Sequence, residues 1–398
     1  MLTREENELL TQTGPGTPMG ELMRRYWLPF MLSSELEADG APKQVQLLSQ
    51  RFVAFRDSSG RVRLLDENCP HRGASLAYGR NEECGLRCIY HGWKVDVDGN
   101  IVDTPSEPED STFRFRIKHP AYAVHEVAGL IWAYIGPPEK RPPFPDWEWT
   151  RADPEQFEIN KVFEECNYAQ GLEGSIDSVH SDFLHSSDLR GRPSDHRPSF
   201  EVDERPYGFR YAAIRKPDTD ADSNKYVRIT LFVAPCSVFI PPQRPPGKEI
   251  ITHQMWVPID DESNYFYSIR WNRLGPSDRD HIAQFGLDSD FRPVRNRANK
   301  HLQDRAAMKN GSWTGIQGVN SQDFAVVESM GPIFDRTREH LGVTDLAIIR
   351  FRRWMIQHAR ALAEQGIDPP SFEAYSTLAT DERVVPLATP WTEVAPCS

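Results

Sequence analysis

Two short pairs, Cys69-Pro70-His71 and Cys88-Ile89-Tyr90-His91, lie sixteen residues apart in this 398-residue chain. Brought together on neighbouring loops, they offer two thiolates and two imidazoles. A structural zinc site can use the same four side chains. Zinc fingers, however, keep the cysteines and the histidines in separate pairs, C-x2–4-C and then H-x3–5-H. Here each pair mixes one cysteine with one histidine. That is the ligand pattern of a [2Fe–2S] centre in which two histidines replace two cysteines on one iron. Exchanging anionic thiolate for neutral imidazole raises the reduction potential, so the centre can hand single electrons on to oxygen chemistry.

The flanking residues agree. Gly73 and Gly92 suit loops that turn tightly enough for backbone N–H groups to approach cluster sulfurs. Beyond the second loop, Lys94 to Ile101 alternates and then turns at Asp98-Gly99, a hairpin signal. As a whole, Cys69-Pro70-His71-Arg72-Gly73 and Cys88-Ile89-Tyr90-His91-Gly92-Trp93 resemble the two fingerprints of Rieske domains. Val95 departs from that pattern, since many members carry an aromatic residue there; it is not a ligand.

The formal net charge of −12 argues against an electrostatic nucleic-acid partner. No apolar run is long enough to span a membrane, and Met1 to Glu6 lacks the apolar core of a signal peptide. Six cysteines in so long a chain do not make a disulfide framework. Two are claimed as ligands, and Cys84, Cys166, Cys236 and Cys397 are expected as free thiols. A reducing, cytoplasmic location fits all of this.

Along the chain, residues 8–34 read as a mixed helical stretch, clearest over Met19 to Tyr26. Short β runs follow at Val45–Leu48, Phe52–Arg56 and Val62–Leu65, then, past the cluster loops, at Tyr122–Glu126 and Leu130–Ile135. The Pro-rich stretch Pro137 to Pro145 marks the exit from this small β domain. Longer alternating segments, Gly208–Ile214, Tyr226–Val233, Ser237–Ile240, Ile250–Val257 and Tyr265–Trp271, predict a strongly curved antiparallel sheet. The last third reads as helical, with Thr344 capping a helix that stops at Gly366. The expected class is α+β: a small all-β domain over 44–145, and a second domain from 1–43 and 146–398.

A second chemical cluster lies in Asp177-Ser178-Val179-His180-Ser181-Asp182-Phe183-Leu184-His185. Two histidines and a carboxylate make the facial triad that holds non-haem Fe(II) with positions left open. At about 100° per residue, five residues turn roughly 140° around a helix. His180 and His185 therefore meet one ion only if the helix breaks between them. Asp177 lies three residues before His180, placed to accept a hydrogen bond from that ring's other nitrogen.

Taken together, the two cluster fingerprints, Asp177-x-x-His180-x4-His185 and the segment Ser321-Gln322-Asp323-Phe324-Ala325-Val326-Val327-Glu328 resemble the oxygenase component of Rieske non-haem iron oxygenases, phthalate-dioxygenase type. The resemblance spans the chain. It implies a helix-grip catalytic domain and a third iron ligand at Asp323, with Glu328 as the competing carboxylate; with Ser321 as the cap of that helix, Asp323 would instead be an ordinary first-turn carboxylate. It also implies that Asp177 bridges to a Rieske histidine of a neighbouring subunit, so that activity needs a homotrimer or a pair of stacked trimers.

The cofactors so implied are a [2Fe–2S] cluster held by Cys69, His71, Cys88 and His91, and a mononuclear Fe(II) held by His180, His185 and Asp323. No G-x-G-x-x-G fingerprint is present, so electrons would come from a separate NAD(P)H-dependent reductase. Relatives of this type mostly oxidise aromatic acids, by hydroxylation or O-demethylation. An arginine is the natural anchor for a carboxylate. Arg210, Arg215 and Arg228 on the expected sheet, Arg244 beyond it, and Ser178 are the candidate substrate contacts. Two other classes stand beside this reading. A Rieske electron carrier would leave more than half of the chain unused, and a zinc-stabilised binding protein would be colourless.

Overall fold

The computed structural model describes residues 1–189, 193–277 and 286–395, so Cys397 lies outside the described residues. The chain divides into two compact units, Arg24–Phe144 and Met1–Met23 with Pro145–Ser398.

The strands of the smaller unit all pair antiparallel. Its strands are β1 (Leu28–Leu32), β2 (Lys43–Leu47), β3 (Gln50–Arg56), β4 (Val62–Asp66), β5 (Arg80–Glu82), β6 (Gly85–Arg87), β7 (Lys94–Asp96), β8 (Ile101–Asp103), β9 (Ala121–Val127) and β10 (Leu130–Tyr134). They form a six-stranded sheet in the order β1-β10-β9-β4-β3-β2 and a four-stranded sheet in the order β5-β6-β7-β8. The core joins Val53, Phe55, Leu65, Leu76, Leu86, Trp93, Val95, Val97 and Ile101 with Cys69 and Cys88. Val95 thus fills core space. The expected start at residue 44 is too late: β1, inside the stretch read as helical, pairs with β10 and draws residues 24–43 into this unit. Its sequence Leu-Pro-Phe-Met-Leu is apolar on both faces, which erases any period that would have distinguished strand from helix.

The larger unit adds β11 (Phe157–Glu164), β12 (Ser199–Arg205), β13 (Gly208–Arg215), β14 (Asn224–Val233), β15 (Ser237–Gln243), β16 (Ile250–Pro258), β17 (Asn264–Asn272) and β18 (Asp381–Pro386). The order is β11-β17-β16-β15-β14-β13-β12, all antiparallel, with β18 alongside the first half of β14. The five segments read as strands are all present. The outer strands β11, β12 and β18 were not expected; charged residues interrupt each of them.

Helices α1 (Arg4–Thr11), α2 (Pro18–Met23), α3 (Tyr168–Ile176), α4 (His180–Phe183), α5 (Arg305–Lys309), α6 (Val319–Ser329) and α7 (Leu346–Gln365) complete this unit. Gly366 ends α7 in the left-handed conformation, φ 68°, as its position predicted. Thr344 does not cap α7. It sits inside a 3-10 turn, Val343–Asp345, two residues before α7 begins, and Asp345 takes the cap position. A buried ion network ties α3 to α7: Glu173 accepts from Arg336 and from Arg352, and Arg352 also reaches Glu339.

Candidate metal centres

The four cluster residues sit on two loops built alike. In the first, Cys69 N–H donates to Ala74 O and Gly73 N–H to Cys69 O; in the second, Cys88 N–H donates to Trp93 O and Gly92 N–H to Cys88 O. Both turns need a left-handed residue, supplied by Gly73 and Gly92, each with φ 75°. A Cβ on Gly92 would also lie 2.7 Å from Pro105 Cγ.

The thiols of Cys69 and Cys88 are buried, while the imidazoles of His71 and His91 meet with ring centroids 4.5 Å apart. Burial and the adjacent Cys88 sulfur push the Cys69 thiol up to about 11. Ionised sulfurs here need a cationic partner. His71 Nδ1 is buried with no hydrogen-bond partner among the described residues, a ring nitrogen waiting for a ligand bond. Trp93 stacks on His71 at 4.6 Å and 4°, which fixes the ring plane. This donor set and cradle fit a Rieske cluster.

The second centre begins where α3 ends. Asn167 caps its start, accepting from Ala169 N–H, and anchors itself by donating to Thr11 O and Asp261 O. At the other end Asp177 Oδ1 accepts from Val179 N–H at 2.8 Å, forming a tight turn that stops the helix. Strand β13 holds this turn. Tyr211 donates to Ile176 O at 2.6 Å, and Arg215 donates to Ser178 O at 3.2 Å and to the Asp182 carboxylate at 2.9 Å. The chain then restarts as α4 at His180 and leaves it before His185, which is the expected break between the two histidines.

His180, His185 and Asp323 come together, with one ligand atom from each within 4.8 Å of the others. Their hydrogen bonds fix the tautomers. Gln322 Nε2 faces two acceptors, Asp188 Oδ2 at 2.9 Å and Ile316 O at 2.8 Å, so its oxygen must face His185 Nδ1, 2.7 Å away. His185 Nδ1 is therefore the donor and its Nε2 carries the lone pair. His180 Nδ1 lies 2.6 Å from Asp177 O, a pure acceptor, so His180 Nε2 carries a lone pair too. These two nitrogens stand 3.0 and 3.6 Å from Asp323 Oδ1. Two lone pairs and a carboxylate turned on one point repel unless a cation lies between them, and the set fits non-haem iron.

Several expectations need correction. His180 donates to the Asp177 main-chain carbonyl; the Asp177 carboxylate is 3.9 Å from the ring and serves the turn instead. Asp323 stands in the second turn of α6, and Ser321 is inside that helix and does not cap it. Glu328 is not with the triad. It accepts from Glu165 N–H, and its other oxygen lies 3.2 Å from His301 Nε2. Arg210 is committed to Asp203 and to Ala395 O, Arg228 to Glu382, Arg215 to Asp182, and Arg244 to Glu249 and Asp381. Arg210 and Arg244 are thus each paired with a carboxylate, which a substrate carboxylate would have to compete with. The Ser178 hydroxyl is buried and has no hydrogen-bond partner among the described residues.

Gln322 and Arg215 were missed as supports of the triad. Gln322 directly precedes Asp323, but an amide carries no spacing signal of its own. Arg215 was weighed only as a substrate anchor.

Comparison with known proteins agrees with this arrangement. Residues 26–121 match the Rieske [2Fe-2S] domain and residues 133–395 the LigXa C-terminal domain-like family. The chain is 44% identical to the phthalate 4,5-dioxygenase oxygenase subunit of Pseudomonas putida, over 97% of this chain and 90% of the relative. It is 36% identical to the 3-chlorobenzoate-3,4-dioxygenase oxygenase subunit of Comamonas testosteroni, over 94% and 92%. Among solved structures, a mutant of NdmA from Pseudomonas putida CBB5 with theobromine superposes with a TM-score of 0.65 at 20% identity, covering 87% of this chain and 93% of that one, a likeness of fold. The electron-carrier and zinc-protein alternatives find no support in these matches, which run through both units. A cluster cradle, a histidine–carboxylate triad and near-full-length matches converge on one assignment: the chain belongs to the Rieske non-haem iron oxygenases, as an oxygenase component of the phthalate-dioxygenase type.

Proposed function

We propose that this oxygenase component oxidises an aromatic carboxylate, by ring hydroxylation or O-demethylation, with His180, His185 and Asp323 as the iron ligands and Cys69, His71, Cys88 and His91 as the cluster ligands. The observation that carries the reading is the pair of imidazole lone pairs aimed at the Asp323 carboxylate. When bound, the cluster supplies single electrons and the iron supplies activation of O₂. The aromatic carboxylate follows from the substrates that the names of those two relatives carry, phthalate and 3-chlorobenzoate.

The chain's own groups do the rest. Gln322 and the Asp177 carbonyl hold both imidazoles in the tautomer that presents Nε2. Arg215 and Tyr211 pin the turn between α3 and α4, which fixes the spacing of the two rings. Electrons come from a separate reductase, as in multicomponent systems of this family.

We infer a homotrimer, single or stacked, in which the Asp177 carboxylate, 24% exposed, accepts a hydrogen bond from His91 of the partner subunit. No helix among the described residues is long and apolar enough to cross a membrane, and a cytoplasmic enzyme is the reading that fits. The test is oxygen uptake with NADH, reductase and a panel of aromatic acids, following product masses. Uptake coupled to product gaining oxygen or losing a methyl group supports the proposal; uptake without product from any acid counts against it.

A further inference from the structure

One row of buried polar side chains is used by nothing described so far. Asn160 on β11, Ser268 on β17 and Gln254 on β16 are direct register partners, so all three point to the same face of the sheet. Gln254 identifies that face, because its Oε1 accepts from Ser175 on α3 at 2.6 Å. Asn160 and Ser268 are 2% and 1% exposed, yet neither the amide nitrogen and oxygen of Asn160 nor Ser268 Oγ has a hydrogen-bond partner among the described residues. Native proteins leave few such atoms unpaired, because each carries a desolvation penalty. Finding three together on one face points to a ligand.

The row also lies against the triad from two directions. Ser175, bonded to Gln254, is two residues before Asp177 and the turn to His180. Phe266, two residues along β17 from Ser268 and therefore on the same face, packs its ring on Phe324, the neighbour of Asp323, with centroids 5.6 Å apart. Phe266 and its register partner Trp256 give the row an aromatic floor on the triad side.

We propose that Asn160 and Ser268 form the substrate subsite for a ring hydroxyl, so that the preferred substrate is a hydroxylated aromatic acid. The inference rests on the aromatic-acid reading above and specifies which member of that class is taken. The chemistry of the row selects the substituent. An amide offers a donor and an acceptor, and a serine hydroxyl offers both. A phenolic hydroxyl donates to one and accepts from another. A carboxylate only accepts, and would set its charge against the Asn160 carbonyl oxygen. Reversing the Asn160 amide leaves this balance unchanged.

The test uses anaerobic holoprotein and equilibrium dialysis with benzoate and the monohydroxybenzoate isomers. Wild type is expected to prefer one hydroxybenzoate isomer over benzoate by about tenfold or more, the worth of one or two neutral hydrogen bonds. Ser268→Ala and Asn160→Leu should abolish that preference by weakening hydroxybenzoate binding, and raise Tm by removing unpaired polar atoms. Ser268→Ala deletes a single atom and serves if Asn160→Leu fails to fold. A wild type that binds all isomers like benzoate, a variant that keeps the preference, or a variant whose Tm falls as for a lost internal hydrogen bond or structural water would each overturn the assignment. Oxygen uptake judges the oxygenase reading separately, because dialysis needs no turnover.

Discussion

Replacing Gln322 with Met keeps length and apolar bulk but deletes an acceptor and two donors. His185 then loses the oxygen 2.7 Å from its Nδ1–H, in a site where the ring is 2% exposed. An N–H stripped of a buried partner costs about 1–3 kcal/mol. The ring regains solvation only by turning, which carries Nε2 away from Asp323. Loss of an outer partner of a metal-bound histidine weakens metal binding by about 10–100-fold, which is about 1.4–2.8 kcal/mol. The two figures agree because they describe one event. The assay is anaerobic titration of Fe(II) into protein stripped of mononuclear iron, against a competing chelator, with the cluster spectrum as an internal control for folding. The expected result is Kd raised by about 10–100-fold with the cluster signal intact. Iron affinity within twofold of wild type would falsify the role given to Gln322.

Three further outcomes follow from the same geometry. His71→Ala or His91→Ala should abolish the low average g-value EPR signal of the reduced cluster, while circular dichroism shows a folded chain; a persisting signal would mean that other residues complete the ligand set. Asp177→Asn should leave both metals bound but slow the oxidation of pre-reduced cluster by O₂ in stopped flow, since a neutral amide is a weaker acceptor than a carboxylate for the partner subunit's His91; an unchanged rate would rule out this residue as the bridge. Burial pushes the Glu173 carboxyl up, but Arg336 and Arg352 outweigh it and hold it below the ordinary glutamate range. Its contribution is therefore full above that range and lost as pH falls through the lowered folded value. Glu173→Gln should cost about 3–5 kcal/mol at neutral pH and flatten the acid limb of urea-midpoint against pH; a parallel limb would place that acid sensitivity elsewhere.

Much of the site was legible because metal chemistry restricts residue types. Mixed cysteine–histidine pairs exclude most other uses, and the turn needed between His180 and His185 follows from helix geometry alone. The central strands showed through alternation or through long apolar runs such as Phe52–Phe55. What stayed hidden depends on partners distant in sequence. Which carboxylate an arginine meets is decided by the pairing of β14 with β18, which sets Arg228 opposite Glu382, and by the turn that puts Asp182 beneath Arg215. The hydrogen bond to His180 went to a main-chain carbonyl because the Asp177 side chain was already needed to end α3. The small unit's first strand escaped notice because both of its faces are buried.

The central claim is that one iron, held by His180, His185 and Asp323, performs the oxygenation. A single turnover tests it most directly: protein with both metals loaded, cluster pre-reduced, reductase removed, exposed to ¹⁸O₂ with its aromatic acid. The account predicts labelled ring-hydroxylated product, or demethylated product with labelled formaldehyde and labelled water, from wild type, and neither from Asp323→Ala with an intact, reduced cluster. Wild-type yield from Asp323→Ala, or a ring-hydroxylated product without label from wild type, would contradict it.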